Sequence, residues 1–350
     1  MDYSHDPFLH DRIFKPREDR YEGVDFRRFG TSGLQVSPIT LGTWQNFSNL
    51  DSRESVRDLY LTAFDQGINS FDFGNNYGRP PGSAESLFGT FLKAELAPFR
   101  DELIITTKAG YDMWAGPTGR GSSLKYLVAS VDQSLKRLGL DYVDIFYSHR
   151  FDPETPIEET AEALDFIRRS GRCLYVGISS YSAEHSRQMM EALSSRGTNL
   201  IVHQSQYAIL NRWPEPDVLP FCQEKGVGFA AFSPLAQGLL SEKYLAELPE
   251  GSRAAQPNSS LYVNDWDLLR KALAGLNELA RQRGQTLTQM ALSWVLSKPG
   301  VSTAVIGART PQQIVENTKL LPSFTDEENA RIEALSEGID VDLWKASHQS

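Results

Sequence analysis

Eight short apolar runs alternate along this chain with stretches of helical periodicity, and that alternation restricts the possible folds more than any other feature. The runs are Ser37–Trp44, Asn69–Phe73, Glu102–Lys108, Tyr142–His149, Cys173–Ser179, Leu200–Gln204, Val227–Phe232 and Thr303–Ile306, each of strand length. Between them, Ser52–Gly67, Ser83–Glu95, Ser123–Gly139, Pro156–Gly171, Ser182–Gly197, Pro216–Gly226 and Thr310–Leu320 carry helical spacing. Several open on a capping residue and close on glycine. Strands that are apolar on both faces and separated by helices pair in parallel beneath a helical cover. The pattern predicts an α/β fold, a (β/α)8 TIM barrel. An open doubly wound sheet is the alternative, weakened because no strand runs into a Gly-x-Gly-x-x-Gly turn.

Ahead of the alternation, Phe26–Ser37 reads as an N-terminal β-hairpin turning at Gly30 to Gly33. Residues 1–25 read as a loose polar arm, 26–343 as one barrel domain and 344–350 as a tail. A length of 350 residues suits a single barrel with insertions. Two stretches exceed ordinary loop length, 110–122 after the third strand and 236–264 after the seventh. Both follow strand C-termini, where a barrel keeps its site.

Composition removes several function classes. A net charge of -10 with no basic run argues against a nucleic-acid surface. No uninterrupted apolar segment reaches roughly 18 residues, so membrane insertion is not expected. The first residues, Met1 to Phe8, lack the basic start and apolar stretch of a signal peptide. The only two cysteines, Cys173 and Cys222, sit in core-like runs and read as buried thiols rather than a disulfide. These features together predict a cytoplasmic protein, and no metal site is expected.

Four polar residues interrupt or follow otherwise apolar strands: Asp72, Tyr77, Lys108 and His149. Each has a structural reading of its own, as a turn cap, a packed loop ring, a strand terminus or a satisfied histidine. On consecutive parallel strands, however, all four converge at one rim. An ammonium beside a phenol favours phenolate and lowers the tyrosine pKa, a carboxylate holds that ammonium charged, and a histidine can orient a carbonyl or relay a proton. The set suits reduction of C=O, in which hydride at carbon is matched by a proton at oxygen.

The same residues carry a family resemblance. Phe71-Asp-Phe-Gly-Asn-Asn-Tyr-Gly78, followed by Ala84-Glu85 and Phe88-Gly89, resembles the signature of the aldo-keto reductase superfamily around its catalytic Asp and Tyr. Lys108 and His149 match the other two tetrad positions. The resemblance runs from Phe26 to about Leu343. It is strongest to the branch of bacterial L-glyceraldehyde 3-phosphate reductases and potassium-channel β subunits. Thr107–Trp114, Asp132–Arg137, Tyr142–His149, Gly177–Tyr181, Ser233–Leu240 and Ala291–Trp294 carry that closer match.

By that resemblance Tyr77 is the general acid, Asp72 and Lys108 tune it, and His149 orients substrate. The resemblance also implies NADPH as cofactor. It places Ser179 and Gln204 on the nicotinamide carboxamide, Phe232 under the ring, and Ser233, Pro234, Leu235 and Ala236 along the pyrophosphate, with Thr43, Trp44 and Asp72 at the mouth. Lys243 and Arg253 match positions that hold the pyrophosphate or ribose phosphate. The stretch after the eighth strand, with Gly307, Arg309, Gln313, Glu316 and Asn317, matches the adenosine 2′-phosphate site. Its small residues, capping Thr310 and Pro311 also suit phosphate on physical grounds, although a plain helix cap would look the same. The chain departs from many relatives at Arg309, where they carry Ser, and at Ser180, where they carry Asn.

Two functions follow. One is reduction of small aldehydes or ketones, including phosphorylated trioses or methylglyoxal, with Arg79, Arg120 and Arg150 as candidate charges near the mouth and Trp44, Tyr111 and Trp114 as candidate apolar walls. The other is a cofactor-sensing auxiliary subunit. A small-molecule carbonyl partner and a homo-oligomeric assembly are implied by the resemblance alone.

Overall fold

The computed structural model describes residues 14–245 and 265–341. Eight parallel strands close into a barrel in chain order, the last pairing with the first. They are β3 (Ile39–Gly42), β4 (Ser70–Asp72), β5 (Ile104–Ala109), β6 (Val143–Ser148), β7 (Cys173–Ser179), β8 (Leu200–Gln206), β9 (Gly228–Phe232) and β10 (Val301–Ile306). All eight apolar runs of the sequence are therefore strands, and the open-sheet alternative is excluded.

Helices follow the strands as the capping pattern predicts. They are α1 (Arg53–Asp65), α2 (Ser83–Phe91), α3 (Leu124–Leu138), α4 (Ile157–Arg169), α5 (Ala183–Ser194), α6 (Val218–Lys225) and α9 (Pro311–Asn317). The hydroxyls of Ser52, Ser123, Ser182 and Thr310 each accept a first-turn backbone N–H. After α2 the backbone widens into a π-helical turn at Leu92–Leu96 and tightens over Ala97–Glu102. Pro98, with no N–H to give, ends the regular helix early.

Three helices were not anticipated: α7 (Trp266–Gln282), α8 (Leu287–Ser297) and α10 (Asp326–Ser336). The first two share the single β9–β10 connection. Nearly every residue of α8 is buried, so it lacks the polar stripe that makes a helix periodic. Its capping box, Thr286 with Gln289, was the available signal.

The hairpin is present as β1 (Arg27–Arg28) paired antiparallel with β2 (Gln35–Val36). It closes the barrel end opposite the loops that follow the strands. Phe29 and Val36 are buried with Ile104, Ile145, Tyr147, Ile201, Val202, Ala230 and Val305, so the barrel interior is a packed core. Gly30 has φ of +54°, and a Cβ there would lie 1.9 Å from the Gly226 carbonyl oxygen, so only glycine permits this approach. Arg27 donates to the carbonyls of Leu296 and Val301, which ties the hairpin to α8 and β10.

Residues 14–25, expected to be loose, lie against the barrel wall. Arg20 sits over the Phe64 ring at 4.8 Å and pairs with Glu102, which also accepts from the Tyr21 hydroxyl at 2.7 Å. The arginine thus satisfies its charge and covers apolar surface at once. Both cysteines are buried free thiols. No helix among the described residues is long and apolar enough to cross a membrane.

Candidate active site

The C-terminal ends of the strands bring the predicted chemistry together. Asp72 ends β4, Lys108 is the penultimate residue of β5, and His149 directly follows β6. Parallel register sets Asp72 against Thr106 and Lys108 against Tyr147 on neighbouring strands. The Lys108 ammonium is fully buried and donates to Asp72 Oδ2 at 2.6 Å and to the Phe73 carbonyl at 2.7 Å. The other Asp72 oxygen accepts from Thr106 Oγ1 at 2.6 Å and from Gln204 Nε2 at 3.1 Å. Three donors on one buried carboxylate fix its plane.

Tyr77 comes from the loop after β4. Its hydroxyl lies 3.2 Å from His149 Nε2, and its ring centre lies 5.1 Å from Lys108 Nζ. Burial pushes the phenol well above its ordinary pKa, and the Asp72 charge and Tyr111 add to the rise. The lowering expected from Lys108 is not found. Burial is the largest cause of the rise and outweighs the ammonium, which is itself engaged by the Asp72 carboxylate. Burial lowers the Lys108 pKa too, against the opposing pull of Asp72 and Glu85. His149 is held well below its ordinary value, first by burial and then by Lys108 and Arg150. It is therefore neutral at pH 7. Among the described residues no partner is within reach of its buried Nδ1. A proton on Nδ1 would be an unpaired buried donor, which favours the tautomer protonated at Nε2.

These groups floor a cavity of about 610 Å³ that extends over the barrel mouth. Asp72, Tyr77 and His149 line one end; Gly307, Arg309, Gln313, Glu316 and Asn317 line the other. Between them lie Thr43, Trp44, Ser179, Gln204, Phe232, Ser233, Pro234, Leu235 and Lys243. Ala236 is fully buried and does not reach the cavity wall, while Arg253 falls outside the described residues. Lys108 also stays behind the wall, bonded to Asp72 and 5.1 Å from the Tyr77 ring centre.

The far end is built on backbone and amide groups. Arg309 N–H donates to Gln313 Oε1 at 2.8 Å, leaving the guanidinium exposed. Glu316 is engaged by Gln289, Gln312 and Lys319. A Cβ on Gly307 would meet nothing nearer than 3.9 Å, so the chain leaves open space there. Ser233, Ala236 and Gln237 all take positive φ, an uncommon run for residues other than glycine, in the turn beside Lys243. A cavity whose lining includes the cationic Lys243 and Arg309 and the phenol of Tyr77 fits a dinucleotide in its donor set.

The sequence profile of the Aldo/keto reductase family matches residues 38–337, nearly the whole barrel. The chain belongs to the aldo/keto reductase family. Among known members, this aldo/keto reductase is 49% identical over 342 residues to the L-glyceraldehyde 3-phosphate reductase of Escherichia coli O157:H7, covering 96% of this chain and 99% of the relative. The enzyme of the same name from Escherichia coli strain K12 is 48% identical over the same span. A probable voltage-gated potassium channel subunit beta of Oryza sativa subsp. japonica is 36% identical over 326 residues, 89% of this chain and 96% of the relative. Members of the family generally use NAD(P)H.

Sequence reasoning missed several residues of the site. Thr106 Oγ1 bonds Asp72, yet a threonine inside an apolar strand reads only as a strand former. Thr286 and Thr288 line the cavity from the start of α8, which was itself not recognised. Asn46 and Asn76 line it from loops whose paths composition does not fix. Among the described residues, no cluster of three or more His, Cys, Asp or Glu side chains could hold a metal ion.

Proposed function

We propose that this aldo/keto reductase reduces small aldehydes to alcohols with NADPH, and that Tyr77 supplies the proton. The observation that carries the reading is the Tyr77 hydroxyl 3.2 Å from His149 Nε2 at the floor of the cavity, with the buried Lys108–Asp72 pair behind it. A bound nicotinamide dinucleotide supplies the hydride. Everything else is asked of the chain's own residues.

A phenol with a raised pKa is fully protonated at neutral pH, which is the state a proton donor needs. It does not have to be acidic beforehand. The oxygen of a carbonyl under reduction becomes alkoxide-like, a far stronger base than phenolate, so proton transfer from Tyr77 is downhill at that moment. His149 protonated at Nε2 donates to the Tyr77 oxygen, which aligns the phenolic proton toward the cavity and strengthens it as a donor. The Lys108 ammonium, 5.1 Å from the Tyr77 ring centre, then faces a developing phenolate and stabilises it. Asp72, held by Thr106 and Gln204, keeps that ammonium in place.

For the cofactor we assign Ser179, Gln204 and Phe232 to the nicotinamide end, Ser233, Pro234, Leu235 and Lys243 to the pyrophosphate, and Arg309, Gln313 and Asn317 to the adenosine end. The exposed Arg309 guanidinium supports a 2′-phosphate there, hence NADPH over NADH. For the substrate we assign phosphorylated trioses and methylglyoxal as the class to test first, supported by the relatives named for L-glyceraldehyde 3-phosphate reduction. Arg150, whose guanidinium lies over the Tyr111 ring at 4.9 Å, is the candidate charge nearest His149.

Following NADPH absorbance while a panel of small aldehydes is supplied tests the reading. Consumption that depends on both aldehyde and enzyme supports it. Tight NADPH binding without turnover of any aldehyde would favour instead an auxiliary, cofactor-sensing subunit, as in the channel-related members.

A further inference from the structure

We infer that Tyr126, which does not line the cavity, is a positioning residue that fixes Tyr111 as the wall selecting which aldehydes reach Tyr77. The inference rests on the reductase reading for its kinetic test, but its geometry stands on its own.

Tyr126 lies in the first turn of α3 and is completely buried. Its hydroxyl donates to the Tyr111 carbonyl at 2.5 Å and accepts from Asn75 Nδ2 at 3.1 Å. Asn75 is two residues before Tyr77, and its backbone N–H donates to the Lys108 carbonyl at 2.8 Å. One phenol oxygen thus joins the loop that carries the proton donor, the strand end that carries the ammonium, and the long loop 110–122. Asn75 also donates to Ser130 on α3 at 3.2 Å, and the Trp114 ring packs on Tyr126 with centroids 5.0 Å apart.

The group held by this junction faces the chemistry. Tyr111 lines the cavity beside Asn76 and Tyr77. Its ring meets His149 edge-on, with centroids 4.7 Å apart and planes at 88°. Arg150 covers it from above. The far end of the same loop is tied down separately, where Asp152 accepts from Ser122 N–H at 2.8 Å and from Thr155 at 2.6 Å. At the end nearer the reacting atoms the Tyr126 hydroxyl holds the Tyr111 carbonyl, next to the Gly110 carbonyl that accepts from Arg150 Nε at 3.3 Å. A misplacement of the order of 1 Å in a substrate-positioning group is enough to cost about a hundredfold in rate. The hydroxyl therefore acts on substrate fit through Tyr111, with no contact of its own.

The test is a double-mutant cycle on the full chain with NADPH, using Tyr126→Phe and Tyr111→Ala. Tyr126→Phe keeps the ring against Trp114 and leaves Asn75 its bond to Ser130, so the fold is retained. The expected result is unchanged NADPH affinity, kcat within about threefold, KM for a short aldehyde raised about tenfold, and weaker discrimination between short and bulky aldehydes. In the Tyr111→Ala background the same substitution should change selectivity by less than about twofold, because the residue it works through is gone. Unchanged selectivity in Tyr126→Phe, or an equal change in both backgrounds, would overturn the inference. If the wild-type protein reduces no aldehyde, the reductase reading fails separately, and amide hydrogen exchange decides the positioning claim. Faster exchange in 110–122 of Tyr126→Phe, with the barrel strands unchanged, supports it; identical exchange overturns it.

Discussion

The Lys108 ammonium is 2.6 Å from Asp72 Oδ2, fully enclosed, while the phenol it was expected to acidify is held by a different partner, His149. The charge pair is thus a buried unit behind the reacting surface, and Tyr77 remains a protonated phenol. Breaking a buried pair by removing one member leaves an uncompensated charge. Lys108→Met should therefore lower unfolding free energy by about 3–5 kcal/mol, read by urea denaturation, as well as removing reduction. Full stability in the variant would mean that the pair contributes nothing to holding the fold.

The neutral histidines set a pH dependence of stability. Burial brings His203 down to about 4 from an ordinary 6.5 and holds His149 well below it as well. Below 6.5 the unfolded chain takes up protons that these folded histidines refuse, so the unfolded state gains and stability falls as pH drops. For His203 the loss accumulates between 6.5 and about 4, and amounts to roughly 3 kcal/mol when complete. Above 6.5 neither histidine contributes a slope. The difference between wild type and His203→Asn, measured by denaturation across this window, should shrink on acidification; a constant difference would count against the buried neutral imidazole.

At the opposite end of the barrel, Gly30 should tolerate no side chain. Its φ of +54° and the 1.9 Å approach of a Cβ to the Gly226 oxygen combine strain with a backbone collision. Gly30→Ala is expected to cost at least about 2 kcal/mol in unfolding free energy. Because the hairpin lies far from the cavity, the folded fraction should keep its kcat/KM. A large drop in kcat/KM at full stability would show that the two ends are coupled.

Cofactor choice turns on an exposed guanidinium. Arg309→Ala should weaken NADPH binding about tenfold or more while leaving NADH nearly unaffected, since only NADPH carries the 2′-phosphate. Fluorescence titration with both cofactors measures this. Equal weakening would remove Arg309 from that role.

Much of this was legible in the sequence because each strand end carries its own signal. Asp72, Lys108 and His149 each break an apolar run at a C-terminal edge, and parallel pairing leaves one rim on which they can meet. The residues proposed for the cofactor come instead from the family resemblance; Ser179, Gln204, Phe232, Arg309 and Asn317 line the same cavity, whereas Ala236 does not. What sequence did not provide was the partner of each side chain. Strand alternation puts Thr106 on the side of Lys108 and Thr107 on the other, but it does not name their partners, Asp72 for Thr106 and Glu85 for Thr107. The Lys108–Asp72 pair was expected, but spacing does not reveal that burial would outweigh the ammonium and raise the Tyr77 pKa. Helix α8 was missed because a helix buried on all sides has no polar face to give it a period. Tyr126 falls on the buried face of α3, and only its hydroxyl contacts distinguish it from its apolar neighbours.

The proton donor itself admits a direct measurement. NADPH consumption with a small aldehyde, followed by absorbance in wild type and in Tyr77→Phe alongside NADPH affinity, isolates a group that is needed for proton transfer alone. We expect kcat/KM to fall by about 10²- to 10⁴-fold with NADPH affinity changed less than about threefold. Turnover by Tyr77→Phe at the wild-type rate would contradict proton donation by Tyr77.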